Sequence, residues 1–338
     1  MSKFFKGAVL AIIAVLAVSP AVAQETTGGL VGSVANDVGT PIAGARINAQ
    51  GPMGPVATTT DETGMYRFPR LAPGGYTVTA SFEGFTPVNA DVNIQLGESP
   101  TVNFTLTSAT FTEEIQVYSD TVAIDFTESQ TATSIREWEI DYLPRGRDFT
   151  DVVSFAAGTV DNPQAGGISV DGASGLENRY IIDGIDTTDP EIGNSAVPMR
   201  AEMMEEVQLK SAGYAAEHGG ALGGVINAVT RSGTNEFHGA VFVDYENNDW
   251  NGSARKELEY SGPDGPGYYT FDKDDETRVD PGFVLSGPVL RDKWWFFASY
   301  QPGIRETKRT IDWANSPTDT YVQNFDIDYM SFNTTVNI

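Results

Sequence analysis

From residue 27 to 107, short runs of apolar and polar positions recur between turn signals, at 30–34, 45–50, 57–60, 64–68, 75–81, 91–94 and 102–106. In the fifth run Val78 and Ala80 alternate with Thr77, Thr79 and Ser81, the period of a half-buried strand. Asn36-Asp37-Val38-Gly39, Asp61-Glu62-Thr63-Gly64 and Pro73-Gly74-Gly75 supply the breaks. Seven or so short strands at this spacing predict a small antiparallel β-sandwich.

From 126 to 235 the pattern mixes periods. Residues 135–142 read as a short helix closed by Leu143-Pro144. Asp148 is placed to cap a second helix over 149–157, with Gly158 as its stop and Phe149, Val152, Val153 and Ala156 on one face. Strand-like segments follow at 167–172 and 180–185, each carrying an Asp-Gly turn pair, Asp171-Gly172 and Asp183-Gly184. Glu205 to Lys210 reads as a strand, residues 218–224 as a glycine-packed turn, and Val225 to Val229 as a second strand. Ahead of this region, residues 108–125 read as a linker.

After residue 236 the alternation lengthens. Val241, Val243 and Tyr245 alternate with Phe242, Asp244 and Glu246, and Phe325, Ile327 and Tyr329 with Asp326 and Asp328. Lys293 to Tyr300 is an aromatic strand reached from 283–290 through an Arg291-Asp292 turn. Alternation with short turns on one side, long polar loops on the other and aromatic girdle candidates is the pattern of transmembrane β-strands. A soluble antiparallel sheet has the same period, and the preceding region decides between them. The loop 247–279, with Asp272, Asp274, Asp275 and Glu276, would face outward as a solvated acidic segment.

The N-terminus changes the picture by giving an address. Lys3 and Lys6, an apolar run over 7–18, Pro20 and Ala21-Val22-Ala23 form a secretory signal peptide over 1–23, with cleavage between Ala23 and Gln24. The chain has 21 Lys+Arg against 46 Asp+Glu, a formal charge of −25. Such a polyanion is a poor nucleic-acid binder, because that binding runs on phosphate neutralisation by basic side chains. There is no cysteine, so stability in an exported setting must come from packing and backbone pairing.

Candidate chemistry is sparse. Two histidines, His218 and His238, and no thiol leave little room for a catalytic triad or a metal centre. No catalytic, cofactor or metal site is expected, and the chain is not read as an enzyme. His218-Gly219-Gly220-Ala221-Leu222-Gly223-Gly224 superficially suggests a phosphate loop, but no Lys-Ser/Thr follows and a strand comes next. A steric role, letting this backbone lie close to a wall of surrounding strands, fits better. Asp183, Asp186 and Asp189 could offer oxygens to a divalent cation, yet turn chemistry is the better reading.

Two motif sets carry a resemblance. Gly32-x-Val34-x-x-Asp37-x-Gly39-x-Pro41-Ile42-x-Gly44-Ala45, followed by Thr60-Asp61-x-x-Gly64-x-Tyr66-x-Phe68-x-x-Leu71-x-Pro73-Gly74-x-Tyr76-x-Val78, resembles the carboxypeptidase regulatory-like domain. That likeness implies a transthyretin-like sandwich over 24–107, with Tyr66, Phe68, Leu71 and Tyr76 between its sheets. Leu143-Pro144-Arg145-Gly146-Arg147, Ala156-Ala157-Gly158, Ile168-x-Val170-Asp171-Gly172, Asn178-Arg179-Tyr180-x-x-Asp183-Gly184 and the stretch from Glu206-Val207 to Ser232-Gly233 are similar, in order, to the plug of TonB-dependent outer-membrane receptors, most closely the Oar-like variety.

The resemblance implies a mainly β protein: sandwich, α+β plug over 126–235, and the first strands of a transmembrane β-barrel over 236–338. It also implies the TonB energy-coupling complex, outer-membrane lipid and an unknown transported ligand as partners, with the sandwich in the periplasm and no nucleic acid. Glu113, Glu114, Ile115, Gln116 and Val117 would contact TonB by adding to a sheet edge. A plugged barrel has roughly 22 strands, so a chain reaching only Ile338 is expected to be an N-terminal piece of a longer receptor. The rival is a secreted carbohydrate-binding or adhesion protein.

Overall fold

The computed structural model describes residues 26–108, 130–144, 146–161, 167–252, 256–259, 266–269, 273–311 and 319–336. The signal segment with Ala23 and Gln24, and the candidate TonB segment Glu113, Glu114, Ile115, Gln116 and Val117, lie outside the described residues.

The first domain holds the seven expected strands: β1 Gly28–Asn36, β2 Arg46–Gly51, β3 Gly54–Thr59, β4 Met65–Leu71, β5 Gly74–Ser81, β6 Val88–Ile94 and β7 Phe104–Leu106. They form two facing sheets, ordered β4-β1-β7 and β3-β2-β5-β6. One expectation is corrected: the sandwich is not wholly antiparallel, because β7 returns alongside β1 in parallel, Val34 opposite Phe104. The alternation read in β5 holds, with Tyr76, Val78 and Ala80 buried against Leu30, Ile47, Phe68 and Leu106. Tyr66, Phe68, Leu71 and Tyr76 are all inside, and Tyr66 spends its hydroxyl proton on the Val102 carbonyl at 2.7 Å. The Asp61–Gly64 motif is a turn in which Asp61 Oδ1 accepts the backbone N–H groups of Thr63 and Met65. Gly64 sits at φ +77, where a β-carbon would collide with the Val34 carbonyl.

The central domain begins with β8 Thr131–Arg136, then helix α1 Glu137–Ile140 and helix α2 Phe149–Val153. Residues 135–142 are therefore not one helix. Thr131, Thr133 and Ile135 are β-branched and extend along the next strand pair. The helix starts only once the Arg136 N–H finds the Glu139 carboxylate at 3.0 Å. The second helix is shorter than read: beyond Val153 the chain tightens into i→i+3 bonds, Phe155 N–H to Val152 and Ala156 N–H to Val153. Gly158 ends that turn at φ +81. Phe149, Val152, Val153 and Ala156 are buried on one face as expected.

Next come β9 Thr159–Asp161, β10 Ile168–Val170, β11 Arg179–Ile182, β12 Ile185–Asp186, β13 Met204–Ala212 and β14 Val225–Thr230. The stretch read as one strand over 180–185 is a hairpin, folded at Asp183 (φ 49) and Gly184 (φ 76). The main sheet runs β12-β11-β14-β13-β8. One face, with Ile135, Val207, Leu209, Ile226 and Ala228, packs on the two helices. The other face buries Glu206, Gln208, Lys210 and Asn227.

The last part is an antiparallel meander of β15 His238–Asn247, β18 Asp275–Leu290, β19 Trp294–Ile311 and β20 Asp319–Val336, with a small pair, β16 Glu257–Glu259 and β17 Gly267–Tyr269, between the first two. The segment 247–279 is thus not all loop, since β18 already runs from Asp275. Val241, Phe283, Tyr300 and Met330 lie in one cross-strand row on the outer face, Gly239, Leu285, Ala298 and Phe332 in the next. Val241, Phe283, Leu285, Met330 and Phe332 are exposed there. On the inner face Asp280, Ser286, Trp295, Phe297, Ser299 and Gln301 are buried. The aromatic run is therefore split by face, and Tyr329 points inward with Gln301 rather than outward.

The glycine cluster does not touch this meander. Side chains added at Gly223 and Gly224 would strike Asn178, and Leu209 and Val170, all in the central domain. The close approach falls instead at Gly233, where a β-carbon would come under 3.0 Å from Phe296 and Gly287 backbone atoms. Backbone cannot yield as a side-chain tip can, so Gly233→Ala is expected to destabilise the protein by about 1–3 kcal/mol. The midpoint of thermal unfolding in detergent checks this.

Candidate functional site

Among the described residues, the charged and polar groups that are buried concentrate where the three parts meet. The central domain and the meander are joined by a buried charge cluster. Asp280, fully buried on the inner face of β18, directs Oδ2 to three guanidinium groups: Arg147, Arg200 Nη2 at 3.2 Å and Arg278 Nε at 3.1 Å. Arg200, also fully buried, donates to Asp148 at 2.9 Å and lies 3.9 Å from the centroid of the Tyr329 ring. Arg147 further approaches Glu246 at 3.8 Å. Three cations face three carboxylates, so the cluster is neutral. That balance lets Asp280 and Arg200 sit with no exposed surface, because a buried carboxylate without partners is strongly unfavourable, while Asp148 and Glu246 stay partly exposed at the rim.

Two lesser contacts extend the junction. Asn333 of β20 donates to Thr230 Oγ1 at 3.4 Å and to the Arg231 carbonyl at 3.3 Å. Asn235 bonds three ways: its amide nitrogen to Asp292, its amide oxygen to the Asp292 N–H and Trp295 Nε1, and its own N–H to the Pro52 carbonyl of the β2–β3 hairpin.

The sandwich meets the central domain at Leu96. The Glu206 carboxylate accepts the Leu96 N–H, both oxygens at 3.2 Å, and Gln208 Nε2 donates to the Leu96 carbonyl at 2.8 Å. Beside them, Arg136 donates to the amide oxygens of Asn93 and Gln95, in the amide orientation that satisfies both partners. Burial pushes the Glu206 carboxyl above its usual range, opposed by its hydrogen bonds and by Arg136.

Glu205, on the same strand, is pushed up to about 7, first by burial and then by the negative charge of Glu137, with Arg231 opposing. Arg231 pairs with Glu137.

The acidic candidates act as turn and surface groups. Asp183 accepts the Thr230 N–H at 2.8 Å and its hydroxyl at 2.7 Å. Asp186 accepts from Thr188 and Arg179, and Asp189 from the N–H groups of Glu191 and Ile192. Asp186 and Asp189 accept from neighbours in their own turns, whereas Asp183 reaches across the sheet to Thr230. Asp274 and Glu276 pair with Arg309 and Arg305 across the strands. Among the described residues no group of three or more His, Asp or Glu could hold a metal ion.

Sequence reasoning quoted Arg147 and Glu206 only as motif letters and missed Leu96, Arg200 and Asp280. A signal did exist for Asp280: it shares the inward phase of its strand with Arg278 and Ser286, while Val279, Phe283 and Leu285 hold the other face. The alternation of Glu206, Gln208 and Lys210 with Val207 and Leu209 likewise showed a polar face needing cover.

Two family models match parts of this chain. Residues 29–107 match the family model of the carboxypeptidase regulatory-like domain, and residues 229–334 that of an outer membrane beta barrel domain. The chain is 32% identical over 305 residues to the TonB-dependent transporter Oar of Myxococcus xanthus, across 86% of this chain and 28% of Oar. It thus spans little more than a quarter of that relative's length. Among solved structures, the outer membrane transporter YddB from Escherichia coli aligns with a TM-score of 0.47 at 20% identity, over 60% of this chain and 30% of that one. The siderophore receptor PirA from Acinetobacter baumannii aligns with a TM-score of 0.37 at 19% identity, over 60% and 32%. These relatives are transporters and receptors, not enzymes.

Two outcomes follow from the junction. Arg200→Ala and Asp280→Ala should each cost about 3 kcal/mol by stranding a buried partner, and the double variant should recover about 2 kcal/mol of their sum, read from urea midpoints in detergent. A carboxyl held above its unfolded value of 4.5 favours the fold while protonated. Glu205 therefore contributes fully below about pH 4.5 and loses that contribution as pH rises through about 7. Glu205→Gln should flatten the stability profile over that window, compared by unfolding midpoints at pH 5 and pH 8.

Proposed function

We propose that the chain, similar to the TonB-dependent transporter Oar over most of its own length, forms the sandwich, plug and leading barrel strands of an outer-membrane receptor. The central domain is the plug, and the meander is the start of the wall around it. A ligand binds from outside. TonB, driven by the inner-membrane proton gradient, engages the segment around Glu113 to Val117 and rearranges the plug to open a path. The sandwich then hangs on the periplasmic side.

The observation that carries this reading is the neutral cluster on Asp280. It joins the central domain to the inner face of a sheet whose outer face carries the apolar rows of Val241, Phe283, Tyr300 and Met330 and of Leu285, Ala298 and Phe332, bounded on β20 by Asp326 and Asp328. That is the polarity of a stoppered barrel rather than of a free secreted sandwich, which would leave Val241, Phe283, Met330 and Phe332 facing water. On β19 the outward positions from Trp294 to Ile304 are apolar or small, an eleven-residue band that suits a tilted membrane strand of about 9–11 residues. A cluster of matched ions is also a junction that moves as a unit, since separating it exposes both sides to water.

The intact gene product should fractionate with the outer membrane and need detergent for extraction. Deleting residues 113–117 should abolish energy-dependent uptake while leaving outer-membrane abundance unchanged. Phe332→Arg, on the outer face, should lower assembly by about 2–4 kcal/mol of stability. A product that stays soluble without detergent refutes the reading.

A further inference from the structure

The sandwich grips one strand pair of the central sheet and nothing deeper. Glu206 and Gln208, both on β13, hold the two backbone polar groups of Leu96. Gln208 also donates to Ser134 Oγ on β8 at 3.0 Å, and Arg136 at the end of β8 reaches Asn93 and Gln95. β8 and β13 are neighbours in antiparallel register from Arg136–Glu206 to Thr131–Ala212. β8 is the edge of its sheet, bonded through its ladder to β13 alone. Residues 93–96 therefore bridge both members of the pair, on the polar face that the helices leave uncovered.

We infer that the sandwich is a staple: by binding Glu206, Gln208 and Arg136 together, it resists the peeling of β8 from β13. β8 is the first strand of the central domain, so tension entering the domain from its N-terminal side meets the β8–β13 ladder first. An edge strand pulled from one end unzips bond by bond. With Leu96 anchored on β13, a docked sandwich makes that peeling require release of Arg136 from Asn93 and Gln95 and of Ser134 from Gln208 as well, which sets a threshold below which the central sheet stays closed. The Leu96 N–H and carbonyl each have a buried partner on β13, so the anchor itself does not fray. This deepens the plug reading by giving the accessory sandwich a mechanical task, and it rests on that reading only for the source of the tension.

Hydrogen exchange on the intact, detergent-purified protein tests the staple without any transport. Asn93→Ala with Gln95→Ala changes only sandwich residues, far from β8 in sequence. It should speed exchange of the β8 amides by about tenfold to a hundredfold while β14 amides keep their protection. As a gain-of-grip counterpart, Asn93→Cys with Arg136→Cys places thiols across the junction of a chain that has none of its own. Bridging them with a short bis-maleimide should slow β8 exchange relative to the unbridged pair. Unchanged β8 exchange in both experiments overturns the staple. Loss of uptake on deleting 113–117 with no change in β8 exchange would leave the transport reading standing and remove this one.

Discussion

Asp280 sets the terms for the rest of the molecule. A carboxylate with no exposed surface is tolerable only when matched cations reach it, and two of its three, Arg147 and Arg200, come from another domain. The meander therefore cannot bury its inner face correctly until the central domain is in place. The central domain in turn supplies only Asp148 among the described partners of Arg200, and the meander supplies Asp280 and the Tyr329 ring. Folding of the two parts is coupled through this charge match as well as through the buried Trp295 and Phe297. This makes the join specific in register and sensitive to the loss of any one ion.

The sandwich attaches on a different principle. Its own core is complete without help, from Leu30 and Ile47 to Phe104 and Leu106. Among the described residues it meets the central sheet through the N–H and carbonyl of Leu96 and a pair of amides. Asn235 adds a third point, tying the β2–β3 hairpin to the tip of the β18–β19 hairpin. An independently stable domain held by few, well-made polar bonds can come away whole.

Local elements were largely legible in the residues, because each rested on one short-range cause. Alternation around Val78 and the Asp61–Gly64 turn placed the sandwich strands, and Asp148 placed the start of α2. The misses came where tertiary pairing overrode local preference. Residues 131–136 form a strand because β13 has an edge to fill, and β7 runs parallel because the sandwich closes on β1. The phase of β20 could not be read from Phe325, Ile327 and Tyr329, since what fixes it is Arg200 across the interface. The junction residues stayed hidden for the same reason. Leu96 is an unremarkable leucine, and only its backbone is used.

The length of β19 has one more implication. Its apolar outward band ends at Ile304, yet the strand runs seven residues farther, through Arg305, Glu306, Lys308 and Arg309, to Ile311. At about 3.4 Å per residue and a slant near 45°, that carries the paired strand about 17 Å past the apolar band. Its basic side chains are already engaged by Asp274, Asp275 and Glu276. The far end of the meander is thus a stiff, charge-neutralised parapet of paired strand, which keeps its shape instead of folding over.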